Sequence, residues 1–481
     1  MPDRPSPLTP QSLIRRTRAR TRTTARGAGR VREFLRRQNG VIAAEAAPAP
    51  GGDRISATVW VEDTPYGLPR RALPDGTPLY ELNGYETDYL YEEIFRERVY
   101  APAGLRLPPR PVIFDVGANI GVCSLFLTRN HPEATVYAFE PSPDAFTALA
   151  ANVAALQLPV VALPWAMGGT GGSATMTVYP GATVYSGLHA DDAGDHAAIS
   201  AAIDTAVSTD TAVPTGTAVS AGSGAAAQVA GELAGDRMRG ARTARVTVIG
   251  LGEALDRIGG ADVDLLKLDA EGAEADILGS LDPTRWPRIR NIVMEVHREA
   301  DVAGLVALLT GAGYHCAVET VSALRGTGYH NVLAVRRDAG TTGTGTAAAP
   351  APSLESVPPP GPLERLRQAL DGFLGDDDPP VELEVRRGAP AGAPAPARHR
   401  APAADPEALA AVLAACAEIL GEPIAAGDDF FVAGGTSLTA VRLLARVRER
   451  LGGELGLADL MEDPTPEGLA ARIAPASRPG A

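Results

Sequence analysis

The segment Ile113-Phe114-Asp115-Val116-Gly117-Ala118-Asn119-Ile120-Gly121 constrains this chain more than any other. It reads as a strand that ends in a glycine turn and opens a helix, continued by VCSLFLTRN. Gly117 permits the sharp turn, and Gly121 lets helix and strand approach closely. Further strand-like runs follow: TVYAFE, VVALPWAM, VDLLKLD, NIVMEV, HCAVE and NVLAVR, separated by helical stretches from about Ile55 to Arg337. Short apolar strands alternating with helices predict an α/β fold with a doubly wound sheet.

A cofactor is expected over that turn. The next strand ends at Glu140-Pro141, and Glu140 stands 19 residues past Gly121, where a carboxylate can accept hydrogen bonds from two ribose hydroxyls. An adenosine cofactor follows. A dinucleotide site wants GxGxxG so that backbone can approach a pyrophosphate; here Asn119 replaces the second glycine. The spacing therefore favours S-adenosylmethionine over NAD, with Asn119 and Asp115 positioned to hold an amino-acid tail. Asp115, Gly117, Ala118, Asn119, Gly121, Glu140 and Pro141 are the candidate cofactor residues.

The run VIFDVGANIGVCSLFLTRNHPEATVYAFEPSPDAFTALAANV, with VDLLKLDAEGAEADILGS, NIVMEVH and RGTGYHNVLAVR, resembles FkbM-type S-adenosylmethionine-dependent methyltransferases from about Tyr80 to Arg337. ELNGYETDYLYEEIFRERVY is similar to the family's lead-in helix. The resemblance implies the class I methyltransferase (Rossmann-like) fold and methylation of a hydroxyl.

VDLLKLDAEGAE places Asp269 at the carboxyl end of the fourth strand, the edge where open α/β sheets bind ligands. Lys267 is the only lysine among 44 basic residues, which suggests a site where a guanidinium does not fit. Strand alternation puts Lys267 and Asp269 on one face, so an ion pair between them is also expected. Methyl transfer to a hydroxyl needs a group to take its proton. His297, just after the fifth strand, is the first candidate base and Asp269 the second; Glu295 reads as buried or structural. Asp269, Glu271 and Glu295 could converge on a metal, but no ligand spacing demands one and none is assigned.

DDFFVAGGTSLTAVRLLARV resembles the phosphopantetheine attachment motif of acyl and peptidyl carrier proteins, with Gly434, Gly435 and Thr436 leading to Ser437 at a helix start. Serine is a good N-cap in any helix, but that alone explains neither the double glycine nor the Phe430-Phe431 lead. The resemblance covers Asp405 to Ile473 and implies a small all-α four-helix carrier domain. It also implies 4'-phosphopantetheine on Ser437, installed by a phosphopantetheinyl transferase, and acyl groups loaded by an adenylation or acyltransferase partner among other assembly-line modules. Asp428 and Asp429 suit docking to basic partner surfaces.

Length and charge frame the whole. The 481 residues carry −14 overall, which disfavours nucleic acid as a partner. The first 40 residues hold eleven Arg against Asp3 and Glu33, a local +9, and without a hydrophobic segment after Arg15-Arg16 they do not read as an export signal. The expected division is an Arg-rich disordered arm over 1–53, the methyltransferase over 54–338 with a low-complexity insert at 189–244, a Pro/Ala/Gly-rich linker over 339–404, and the carrier over 405–475. Within the linker, PLERLRQALDGFLGDDD could form a short helix. Cys123, Cys316 and Cys416 are too scattered for a disulfide framework, and no apolar run is long enough to span a membrane, so a cytoplasmic setting is expected. The combined reading is O-methylation of a hydroxyl on a carrier-tethered intermediate in nonribosomal peptide or polyketide synthesis. Alternatives are N-methylation of a tethered aminoacyl group, or a carrier scaffold whose methyltransferase half is inactive or acts on free substrate.

Overall fold

The computed structural model describes residues 24–188, 241–320, 329–337, 354–375, 378–390 and, with short gaps, 405–473, plus scattered positions between 189 and 240. The insert expected at 189–244 lies almost wholly outside the described residues; its last three residues belong to a strand starting at Arg242.

Seven strands form the main sheet: β1 (Val112–Val116), β2 (Thr135–Phe139), β3 (Val160–Leu163), β4 (Leu265–Leu268), β5 (Asn291–Val296), β6 (Tyr314–Thr320) and β7 (His330–Arg336). In space they run β6-β7-β5-β4-β1-β2-β3. β1 to β5 pair in parallel, whereas β7 is antiparallel to both β5 and β6. The order reverses between β1 and β4, which opens a crevice at their carboxyl ends.

Helices cover both faces. Val122–Asn130 and Pro143–Leu156 enclose one core containing Phe126, Val136 and Leu149; Leu251–Arg257, Glu274–Gly279 and Glu299–Gly311 enclose the other, around Phe114, Leu266 and Met294. A strand covered on both sides has no solvated face. Every position of LLKL in β4 and of NIVMEV in β5 is accordingly buried, Lys267 and Glu295 included. A second, three-stranded sheet sets Arg242–Gly250 between Trp165–Gly168 and Gly172–Val178, beside the carboxyl end of β3.

The structure corrects the outer boundaries. Residues 24–36 form a helix and Val41–Pro48 a strand, so the part of the expected arm from residue 24 onward is packed structure. The middle of the expected linker packs with it: helix Pro362–Asp371 covers the same core, and Val381–Arg387 pairs in parallel with Ile55–Val61. Val31 and Leu35 on one side and Leu366 and Leu370 on the other bury against Ile55 and Val59. The arginines between these apolar positions disguise an amphipathic helix as a basic tail. Arg365 ties this unit to the main domain: its guanidinium donates to the carbonyls of Asn39 (2.8 Å) and Gly67 (3.2 Å) and lies 3.6 Å from Asp144. Asp144 also receives Arg242 at 2.9 Å. Burial opposes the Asp144 charge, but Arg242 and Arg365 hold its pKa below the ordinary carboxylate value.

The carrier region is helical, as expected. Pro406–Leu420 starts from Asp405, whose side chain accepts the Glu407 N–H, and stops at Gly421 in the left-handed conformation (φ 79°). It packs with Ser437–Leu451 and Pro466–Ala471 around Val412, Phe430, Leu443 and Leu469. Among the described residues, no helix is long and apolar enough to cross a membrane.

Candidate active site

The glycine turn after β1 forms one wall of a cavity at the carboxyl edge of the sheet. Gly117 sits at φ 72°, and a Cβ there would fall 1.8 Å from the Asp269 carbonyl oxygen, so no other residue fits. Gly121 (φ 91°) caps helix Val122–Asn130 with Leu149 packed against it. Asn119 adopts φ 48° and secures its own turn, its Oδ1 accepting the Ile120 N–H at 2.7 Å. Its side-chain amide donates to Thr183 at 3.3 Å, and Thr183 donates to Glu86 at 2.5 Å, which links the turn to the lead-in helix Gly84–Tyr91.

Glu140 directly follows β2 with each oxygen engaged once: Oε2 accepts the Asn119 N–H (2.8 Å) and Oε1 the Ser142 N–H (2.7 Å). Burial pushes its pKa up to about 7, although these two hydrogen bonds favour the charged form. Each oxygen keeps a lone pair for a ribose hydroxyl. The glycine turn and this buried carboxylate line one cavity and together fit S-adenosylmethionine, with Ala118, Asn119 and Pro141 on the same wall.

Asp115 does not belong to that wall. It is fully buried beneath the turn, accepting from Ser124 at 2.6 Å and lying 3.3 Å from Lys267 Nζ. Lys267 clamps the turn from β4, donating to the carbonyls of Val116 (3.0 Å) and Gly117 (2.6 Å). Its ammonium stands 3.5 Å from Asp269 and over the Tyr100 ring. Burial works against this charge, but Asp115 and Asp269 outweigh it and raise the Lys267 pKa.

Opposite the turn lies a carboxylate and imidazole cluster. Asp269 Oδ2 accepts the Tyr100 hydroxyl at 3.0 Å. His297 places Nδ1 2.9 Å from Glu274, and Nε2 3.5 Å from Asp269 and 3.4 Å from Glu271. Burial disfavours a charged ring, yet Glu271 and Glu274 raise the His297 pKa well above its ordinary value. Burial lifts Glu271 to about 7 and Glu93, from the lead-in segment, to about 8. Glu295 lines the cavity too, its pKa pushed well up by burial.

The sequence matches the Methyltransferase FkbM domain over residues 115–316 and the phosphopantetheine attachment site over 410–473. It is 35% identical over 269 residues to the 31-O-demethyl-FK506 methyltransferase FkbM of Streptomyces tacrolimicus, an alignment that covers 56% of this chain and 96% of that protein. The chain belongs to the FkbM methyltransferase family. A second similarity extends past the catalytic domain of this FkbM methyltransferase: the AMB antimetabolite synthetase AmbE of Pseudomonas aeruginosa is 30% identical over 427 residues, 81% of this chain but 19% of AmbE. The carrier segment is 50% identical over 58 residues to a dimodular nonribosomal peptide synthase of Bacillus subtilis, 12% of this chain and 2% of that protein.

The FkbM methyltransferase thus gathers Gly117, Ala118, Asn119, Glu140, Pro141, Lys267, Asp269 and His297 around one cavity, with Gly121 just behind the turn and Asp115 beneath it. Sequence reasoning did not single out Tyr100, Glu93 or Thr183. The first two lie in the quoted lead-in segment or just at its end, where only helical character was read. Ser437 opens helix Ser437–Leu451, which comes within 8 Å, Cα to Cα, of the lead-in helix Gly84–Tyr91.

Proposed function

We propose that this methyltransferase O-methylates a hydroxyl of an acyl or aminoacyl intermediate held as a thioester on phosphopantetheine at Ser437, within nonribosomal peptide or polyketide synthesis. The observation that carries the tethered reading is the approach of the Ser437 helix to the lead-in helix, whose Tyr89 and Leu90 line the cavity. A flexible arm on that serine would raise the substrate's effective concentration at the site without new contacts. Phosphopantetheinyl transferase and a loading enzyme are the partners this requires.

S-adenosylmethionine supplies the electrophilic methyl group. The protein holds the cofactor's ribose on Glu140, keeps the turn rigid through Lys267, and offers the acceptor a cavity edge lined by Asp269, Glu271 and Glu295. The hydroxyl proton passes to this cluster. Glu271, with a pKa of about 7, matches a base working near neutrality. His297 stands among Asp269, Glu271 and Glu274, so its role is to position Asp269 and Glu271 rather than to act as the lone base.

The test is mass spectrometry of loaded holo-protein incubated with S-adenosylmethionine. One added methyl on the species bound at Ser437, lost in Ser437→Ala, is expected. An unmodified thioester, or equal methylation of a free acid by Ser437→Ala, overturns the tethered reading.

A further inference from the structure

We propose that Asp269, Glu271 and His297 bind one divalent cation of the Mg²⁺ or Mn²⁺ class at the carboxyl ends of β4 and β5. One donor atom from each lies within 4.8 Å of the others. His297 Nε2 is 3.5 Å from Asp269 Oδ1 and 3.4 Å from Glu271 Oε2. Ligands about 2.1 Å from a shared ion stand about 3.0 to 3.5 Å apart, so little movement brings these three onto one centre.

The surroundings point to a ligand. Glu274, whose Oε1 accepts the N–H groups of Ala270 and Gly272 at 3.1 Å each, holds Nδ1 of His297 at 2.9 Å. That contact aims Nε2 at the two carboxylates, the orienting arrangement that metal-bound histidines use. Asp269 Oδ1 is buried and accepts no hydrogen bond, while Oδ2 is taken by Tyr100. Glu295, 7% exposed and two residues before His297 on the same side of β5, faces the cavity and, among the described residues, makes no hydrogen bond or ion pair. A buried polar group that makes no hydrogen bond is costly.

A protonated His297 would pair with Asp269, Glu271 and Glu274 and attract Glu295, but Asp269 Oδ1 still accepts no hydrogen bond and Glu295 makes none among the described residues. A dication next to them compensates both. Two carboxylates with one imidazole and no thiolate suit Mg²⁺ or Mn²⁺. Its role rests on the O-methylation reading: a hydroxyl oxygen bound to the cation would lose its proton more readily, the O–H bond breaking and the proton passing to the surrounding carboxylate cluster.

The experiment is a Mn²⁺ titration of the chelator-stripped full chain, followed by electron paramagnetic resonance. One saturable site per chain is expected, at least tenfold weaker in Asp269→Asn and in Glu271→Gln, with circular dichroism showing both variants folded. No saturable site in the wild type, or unchanged affinity in both folded variants, overturns the proposal. Methylation is scored separately. Mn²⁺ bound by a chain that methylates nothing supports the site and sinks the methylation reading; methylation persisting after chelation, with no Mn²⁺ site, sinks the site alone.

Discussion

The Lys267 ammonium donates to the Gly117 carbonyl at 2.6 Å and so ties the middle of the sheet to the glycine turn after β1. The same ammonium is the counter-charge of the fully buried Asp115. Breaking a buried pair from one side costs about 3–5 kcal/mol. Lys267→Met is expected to lower the unfolding free energy from urea titration by that amount and to abolish S-adenosylmethionine binding in calorimetry. A variant of wild-type stability that still binds the cofactor would contradict this clamp.

Gly117→Ala tests the cradle itself. The added methyl would meet the Asp269 carbonyl at 1.8 Å in a left-handed backbone, so β1 and β4 must separate. Overpacking of this kind costs about 1–3 kcal/mol. A lowered melting temperature with at least a tenfold loss of cofactor affinity is the expected result of thermal shift and titration.

Glu140 is expected to make cofactor binding pH-dependent. With its pKa near 7 in the folded chain, the ribose acceptor is lost as pH falls below neutrality, so affinity is expected to rise from about pH 6 to pH 8. Glu140→Gln should bind more weakly and flatten that rise. The stability linkage runs the other way: this raised carboxyl contributes stability fully present below its unfolded value of 4.5 and lost as pH rises through about 7. Calorimetric titrations across this range, with and without the substitution, decide the point.

Arg365→Met tests the packed outer unit. It removes donors from the carbonyls of Asn39 and Gly67 inside a buried network, an expected loss of about 3 kcal/mol. Hydrogen exchange should then rise across residues 24–61 and 381–387, while β4 and β5 stay protected. Uniform exchange over both regions would show that the two units do not open separately.

How much was legible follows from how local each signal is. Gly117, Asn119 and Glu140 sit in one short strand-turn-helix-strand unit, where spacing alone sets their geometry. The shared face of Lys267 and Asp269 follows from strand alternation, and the structure places them 3.5 Å apart. Asp115 faces the core instead, and standing at a strand end does not tell a cavity-facing side chain from a core-facing one. It shares a face with Ile113, which packs beneath helix Val122–Asn130, and there it meets Ser124 and Lys267. The outer unit was missed for a different reason: its core joins segments more than 300 residues apart.

By itself, the sequence determined the doubly wound sheet, the glycine turn, the carboxylate after the next strand and the carrier serine motif, because each depends on residues close together in the chain. Only the tertiary structure decided that a basic tail and a proline-rich linker share a core, and that Asp269, Glu271, Glu295 and His297 converge with Lys267 between two carboxylates. Those relations depend on which strand ends come side by side when β4 and β5 pair, and no spacing within a single segment encodes that.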